Sequence, residues 1–491
     1  MSLKDLEAFL WGAAVYLRGV IDAGDYKQYI FPLLFYKRIC DVYDEEYRLA
    51  LSESDGDLDY ASFAENHRFQ VPEKAHWKNV RAVTVNVGKA LSQAFRGIEQ
   101  INSAQLQGIF GDAEWTNKER LTDEMLCNLI EHFSKYDLSI SNVPNDMLGN
   151  AYEYLIKKFA DDSGHTAAEF YTNRSVVRLM SLIADPQEGE TVYDPTCGSG
   201  GLLLNCAMML KDAGKEYRTL RLYGQEINLI TSAIARMNML LHGFEEFNIE
   251  RGDTLKDPRF MEFDQLKKFN IVLANPPYSI KSWDQKGFTN DPFGRNIWGT
   301  PPQGCADYAF QQHIMKSLDD KNGRCVVLLP HGILFRDAER EIRRKMIESD
   351  TVDCVIGLGA NLFYNSPMEA CLLICRNNKP EEQKGKILFI NAVNEVKTQK
   401  TISVLEEKHI QKIFSAYKNH QDVDGFAKVV DVAEILSNEN VSLNISFYVS
   451  NVNGNSKKQS LQDIYSSWKN ESNQLRISLN KLFEDLQNED R

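Results

Sequence analysis

The spacing of hydrophobic and polar positions changes character twice along the chain. Up to about residue 160, apolar residues recur every three or four positions, as in DLEAFLWGAAVYLRGV (5–20), YIFPLLFYKRICDVYDEEYRLAL (29–51), NVGKALSQAFRGIEQI (86–101) and DMLGNAYEYLIKKFA (146–160). That period puts one apolar stripe on each of several helices, so 1–160 is expected to be a helical domain. From 161 to 400, short apolar runs alternate with helical patterns. The runs are ETVYDP, LRLYGQEI, FNIVLANPP, GRCVVLLP, TVDCVIGLG, EACLLICRN and KILFINA; between them lie GGLLLNCAMMLKDAG, NLITSAIARMNMLLHG, ADYAFQQHIMKSLDD and AEREIRRKMIES. Alternation of this kind predicts βαβ units and a mainly parallel sheet. The runs near 352–376 lack a full helix between them, which predicts an antiparallel edge. Ligands bind such sheets at the C-terminal ends of the strands.

Past 400 the chain reads as a polar helical extension (401–450), then a linker, NVNGNSKKQS (451–460). Beyond it Leu461, Tyr465, Trp468, Leu475, Leu479, Leu482 and Leu486 fall in steps of three and four, with Ser472 at the missing position. This heptad seam either folds back on its own body or docks against a helix of another chain; the polar linker favours docking.

Composition narrows the class. The chain has 491 residues, 43% hydrophobic and 25% charged, enough for two or three globular domains. No run of eighteen apolar residues predicts a membrane span. The N-terminus carries charges early and reads as an amphipathic helix, not a signal peptide. The nine cysteines lie mostly in apolar runs without a CxxC pair, as buried small residues in a reducing cytoplasm would. A net charge of −13 means that any nucleic-acid contact needs a local basic face or a partner's positive charge.

The strand ends carry the candidate chemistry. VYDPTCGSGGLLLN follows a strand and opens a helix, where glycines let a ligand approach the backbone and the helix N-terminus offers free N–H groups. Gly198 and Gly200 match the first two glycines of a dinucleotide fingerprint, but Leu203 stands at the third. Asp194 would repel a pyrophosphate and welcome a cationic amine. The pattern points to S-adenosylmethionine, which has the amine and no pyrophosphate. Glu226, in YGQEIN, is placed to accept hydrogen bonds from ribose hydroxyls, though a lone Glu at a strand end is as often a solvated charge. Asp253, in ERGDTL, is placed to accept from an adenine amino group, with a turn-forming Asp as the plain alternative.

NPPY (275–278) ends the fourth strand on the same rim. The lone pair of an aromatic amine such as adenine N6 is delocalised into the ring, so the nitrogen is a weak nucleophile. Two acceptors on its N–H bonds, the Asn275 side-chain carbonyl and the Pro276 backbone carbonyl, would draw it toward tetrahedral geometry. Pro276 and Pro277 hold those acceptors rigid, and Tyr278 offers a face on which an extruded base stacks. The segment SIKSWDQKGFTNDPFGRNIWGTPPQGCAD (279–307) has no period and is expected to be a mobile loop that orders over DNA or the flipped base.

DPTCGSGG, NPPY and the upstream EFYTN resemble the cofactor-loop, catalytic and cofactor-clamping motifs of gamma-order amino-methyltransferases acting on DNA adenine. LWGAAVYLRGVIDAGDYKQYIFPLLFYKRICDVYDEEY and DMLGNAYEYLIKKFA resemble specifically the modification (M) subunit of type I restriction-modification systems, and the similarity runs over about residues 1–450. The resemblance implies an α/β Rossmann-like methyltransferase domain between a helical N-terminal domain and a C-terminal helical tail. It implies that Glu169, Phe170, Tyr171 and Thr172 border the methionine end of S-adenosyl-L-methionine, with Asp194, Gly198, Ser199 and Gly200 around it, Glu226 on the ribose and Asp253 near the adenine. Asn173 stands where the family usually has proline, which leaves its backbone role open. The partners implied are double-stranded DNA with a flipped adenine, a specificity (S) subunit, a second M subunit and a restriction (R) subunit that adds cleavage. Sequence recognition would then lie in S, which answers the acidic balance. A clamp of this kind also suits protein glutamine or RNA, and a non-catalytic scaffold would keep the same fold; these readings stay open on the motifs alone.

Overall fold

The computed structural model describes residues 2–162, 172–362, 368–399 and 402–449, together with 468, 469, 472 and 476, which are helical. The rest of the expected seam and the expected cofactor neighbours Glu169, Phe170 and Tyr171 lie outside the described residues.

The longer N-terminal helices are Leu3–Gly12, Lys27–Glu53, Val87–Ile101, Asp123–Phe133 and Asn145–Asp162. Local chemistry sets their starts. Ser2 and Asp5 form a reciprocal capping box, and the Thr122 hydroxyl accepts from the Met125 amide. Their apolar stripes close one core around residues such as Leu10, Phe31, Leu34, Leu91, Phe133 and Tyr152.

A nine-stranded sheet follows, made of β1 (Thr191–Asp194), β2 (Arg221–Glu226), β3 (Phe247–Arg251), β4 (Ile271–Ala274), β5 (Arg324–Pro330), β6 (Val352–Leu358), β7 (Ala370–Arg376), β8 (Lys386–Ala392) and β9 (Ala427–Asp431). Its spatial order is β9-β8-β6-β7-β5-β4-β1-β2-β3. The pairings among β1 to β5, and that of β6 with β8, are parallel. The mainly parallel sheet with an antiparallel edge is thus present, but the edge strand is β9, in a segment expected to be a helical extension. The antiparallel strand expected near 352–376 is β7, and it lies inside the sheet, between β5 and β6. The connection 359–369 is too short for a crossover helix, so the chain must return antiparallel beside β6.

Side-chain alternation splits the sheet into two apolar faces. Val192, Leu222, Ile271, Leu273 and Leu372 meet the helices Arg174–Ala184, Gly201–Asp212 and Glu407–Asn419. Tyr193, Val272, Val327, Leu373 and Phe389 meet the helices Asp307–Lys316 and Arg340–Glu348.

The helix Leu229–Leu241 is buried on almost every side, which explains why its sequence lacks a polar stripe. Ile234, Met237, Leu240 and Leu241 belong to the helical-domain core, while Ala235 and Met239 face the sheet. Tyr152 donates to the Ile234 carbonyl at 3.2 Å, and a Cβ on Gly149 would lie 2.5 Å from the His242 ring, so only glycine fits there. This helix, packed from both sides, is therefore a central part of the contact between the helical region and the sheet.

Candidate active site

Parallel register brings the chemistry-bearing strand ends to one rim. Val192 pairs with Leu222 on one side and Ile271 on the other, so Asp194, Glu226 and Asn275 end neighbouring strands. The loop after β1 turns into the helix Gly201–Asp212 through Gly198 and Gly200, at φ 53° and 79°, backbone values that strain residues with a Cβ. A Cβ on Gly200 would also press on Met239 Cε at 3.1 Å.

The loop is braced from below. Glu226 accepts from the Gly198 amide at 3.1 Å and from the Asn228 amide at 2.9 Å, while the Asn238 amide group donates to the Ser199 carbonyl at 3.0 Å. Glu226 was expected to serve a ribose; it accepts from amides of its own strand end and of the glycine loop, and it does not line the recess that Asp194 and Asn275 share. Burial pushes the Glu226 carboxyl up.

Asp194 is 1% exposed, and its carboxyl is pushed up to about 8 by burial, against a hydrogen bond from the Thr196 amide. Among the described residues, no Lys or Arg pairs with it. An amino-acid ammonium is the kind of group that such a carboxylate lacks.

Thr172, Asp194, Gly198, Ser199 and Asn275 line one recess of about 270 Å³, together with Asn150 and Glu153 of the helical region and His242. Asn275 is oriented on both sides. Its Nδ2 donates to Thr172 Oγ1 at 3.0 Å, and its Oδ1 accepts from the Tyr278 hydroxyl at 2.9 Å. Pro276 is buried, Pro277 and Tyr278 are half-buried, and burial pushes the Tyr278 phenol well above its ordinary value.

Two expected residues sit differently. Asn173 caps the helix Arg174–Ala184 and donates to the Leu362 and Ser403 carbonyls, so it braces the fold from 6% exposure. Asp253 Oδ1 accepts from the Leu255 and Lys256 amides, the hydrogen bonds of a turn-forming Asp, and it does not line the recess.

Within the segment 279–307, expected to be a mobile loop, residues 288–298 pack against the body. Phe288, Arg295 and Trp298 are buried, and the Trp298 amide donates to Gln312 at 2.7 Å. Arg295 pairs with Asp291 at 2.6 Å, the two side chains 2% and 1% exposed, and donates to the Thr254 and Leu255 carbonyls. Thr254 in turn donates to the Pro195 carbonyl of the glycine loop. A charged residue in a Gly- and Pro-rich stretch reads as solvated, so nothing in the sequence marked this clasp. Asp291→Ala would leave a buried guanidinium without its counter-charge and is expected to destabilise the chain by about 3–5 kcal/mol, read as a shift of the urea unfolding midpoint.

Comparison with known proteins gives the same answer. Residues 143–457 match the family model described as N-6 DNA methylase, and residues 6–133 match that of the HsdM N-terminal domain. The methylase subunit of type I restriction enzyme MjaVIII from Methanocaldococcus jannaschii is 35% identical over 73% of this chain, which spans 63% of that relative's length. The MpnII methylase subunit of Mycoplasma pneumoniae is 28% identical over 93% of this chain and 90% of its own. The crystal structure of a type I restriction-modification methyltransferase subunit from Streptococcus thermophilus superposes with a TM-score of 0.79 at 32% identity, covering 91% of this chain and 100% of that one. The chain belongs to the N-6 DNA methylase family, among the methylase subunits of type I restriction enzymes.

Proposed function

We propose that this chain methylates the N6 amino group of an adenine flipped out of double-stranded DNA, as the M subunit of a type I restriction-modification assembly. The observation that carries the reading is the Asn275 amide, fixed at both ends by Thr172 and Tyr278 on the recess that Asp194 and Gly198 also line. S-adenosylmethionine, when bound, supplies an electrophilic methyl group. Asp194 would hold its ammonium, the braced glycine loop would let it approach the backbone, and Glu226, beside that loop, would take ribose hydroxyls.

Asn275 Oδ1 keeps one lone pair after accepting from Tyr278. That lone pair and the Pro276 carbonyl accept the two N–H bonds of N6 and turn its lone pair toward the methyl donor. Neither acceptor is a strong base, so each would position the amine while the N–C bond forms and the sulfonium S–C bond breaks, and the proton of the resulting cationic amine would leave to water afterwards. The Tyr278 ring carries the base by stacking. A chain of net charge −13 gains DNA affinity from a specificity (S) subunit, in a complex with a second M subunit and with an R subunit for cleavage. The seam from Leu461 to Leu486 is the segment we assign to docking on S.

The test is methyl transfer with labelled cofactor by the chain co-purified with a two-repeat specificity protein encoded beside it, followed by mass spectrometry of the digested products. N6-methyladenine in DNA, dependent on both chains, is the expected result. Methylated glutamine, methylated RNA, or cofactor binding without any transfer would each overturn the reading.

A further inference from the structure

The turn just after Tyr278 is held under strain by a buried ionic cluster. Ser279 has φ 50°, the left-handed region that costs a residue with a Cβ. Its N–H donates to Asp307 Oδ1 at 3.0 Å. Asp307 is 1% exposed at the start of the helix Asp307–Lys316, and its other oxygen accepts from Arg336 at 2.8 Å. Arg336 also meets Cys305 Sγ at 2.7 Å and lies 3.5 Å from Glu339.

Glu339 is 1% exposed, and neither of its carboxylate oxygens has a hydrogen-bond partner. Burial pushes its carboxyl up to about 7, and it shares the guanidinium with Asp307, which is the carboxylate that accepts a hydrogen bond from it. The ligand atoms of Cys305, Asp307 and Glu339 lie within 4.8 Å of one another, but Arg336 already supplies the cation between them.

We propose that Asp307 is a positioning residue for methyl transfer: by gripping the Ser279 amide it keeps the strained turn, and with it the Asn275–Tyr278 clamp, in the geometry that receives the amine. This rests on the reading of NPPY as a nucleobase clamp given above. The link is short. Relaxation of Ser279 to negative φ rotates the Tyr278–Ser279 peptide, and Tyr278 is the residue whose hydroxyl orients Asn275.

Asp307→Ala removes the acceptor. Asp307→Asn keeps the shape but leaves one oxygen for two donors, Ser279 N–H and Arg336, and it decides the question if the alanine variant does not fold. Single-turnover methyl transfer by the complex is expected to fall about 10²-fold in Asp307→Ala and about 10-fold in Asp307→Asn. The KM for DNA and the calorimetric cofactor affinity should stay within about threefold. Adding Ser279→Gly, which takes positive φ without strain, is expected to return about tenfold of the lost rate in Asp307→Ala and a measurable part in Asp307→Asn. Lost packing around Asp307 would not be repaired at residue 279. In the chain without DNA or cofactor, amide hydrogen exchange over residues 276–283 should accelerate in both variants.

Rates within about threefold of wild type, no recovery with Ser279→Gly, or unchanged exchange would each overturn the positioning role. If the exchange changes appear but the wild-type complex puts no methyl group into DNA, the clamp reading fails while the hold of Asp307 on Ser279 stands.

Discussion

Asn275→Ala is expected to slow methyl transfer to DNA by about 10²–10³-fold, the range seen when a preorganised polar contact to a reacting centre is removed. Its effect should fall on the chemical step. Asn275 borders the recess and holds Thr172 and Tyr278, but the carboxylates assigned to the cofactor lie on other strands. Cofactor affinity by calorimetry should therefore stay within about threefold of wild type. The side chain is half-exposed at the end of β4, so its removal opens no core cavity. A single-turnover rate within tenfold of wild type would remove Asn275 from the acceptor role.

Asp194→Asn is expected to weaken cofactor binding about 10²-fold, because a buried cation would lose its charged partner. The same residue sets a pH signature. In the cofactor-free chain its carboxyl stands at about 8, against an ordinary value of 3.8, because of burial. Between those values the native state holds a proton that the unfolded chain has released, so the contribution of Asp194 to stability is present at low pH and is lost as pH rises through about 8. Glu226, also pushed up by burial, acts with the same sign. The cofactor-free wild type should then lose melting temperature between pH 5 and 8 more steeply than Asp194→Asn does. Cofactor binding near pH 7 should release protons, as Asp194 ionises to meet the ammonium. Calorimetry in two buffers of different ionisation enthalpy reads that release directly; its absence would remove Asp194 as the partner of a cation.

Some of this site was legible in the sequence because local chemistry forced it. Two prolines after an apolar run must end a strand, and glycines between a strand and a helix must make a tight bend; both fall on one rim once the strands are parallel. Spatial order is less local. The run at 370–376 showed a strand, but nothing in it says that the strand inserts between β5 and β6. AKVVD (427–431) is short and runs straight into the helical pattern VAEILS, so the strand on the sheet edge was missed. Asp253 shows the ambiguity of an acidic residue beside a strand, since the same side chain serves a turn. The segment 279–307 concealed its packing for a different reason. Absence of periodicity excludes a long helix or strand, but it does not exclude burial when one ion pair, Arg295 with Asp291, holds the backbone down.

The helix Leu229–Leu241 bears on how a protein of this kind could be divided. A fragment beginning near residue 172 would turn Ile234, Met237, Leu240 and Leu241 from interior to surface, on the same helix whose Asn238 steadies Ser199. The helical region is thus part of what holds the glycine loop in place, and the sheet half expressed without it would stand on an uncovered apolar helix.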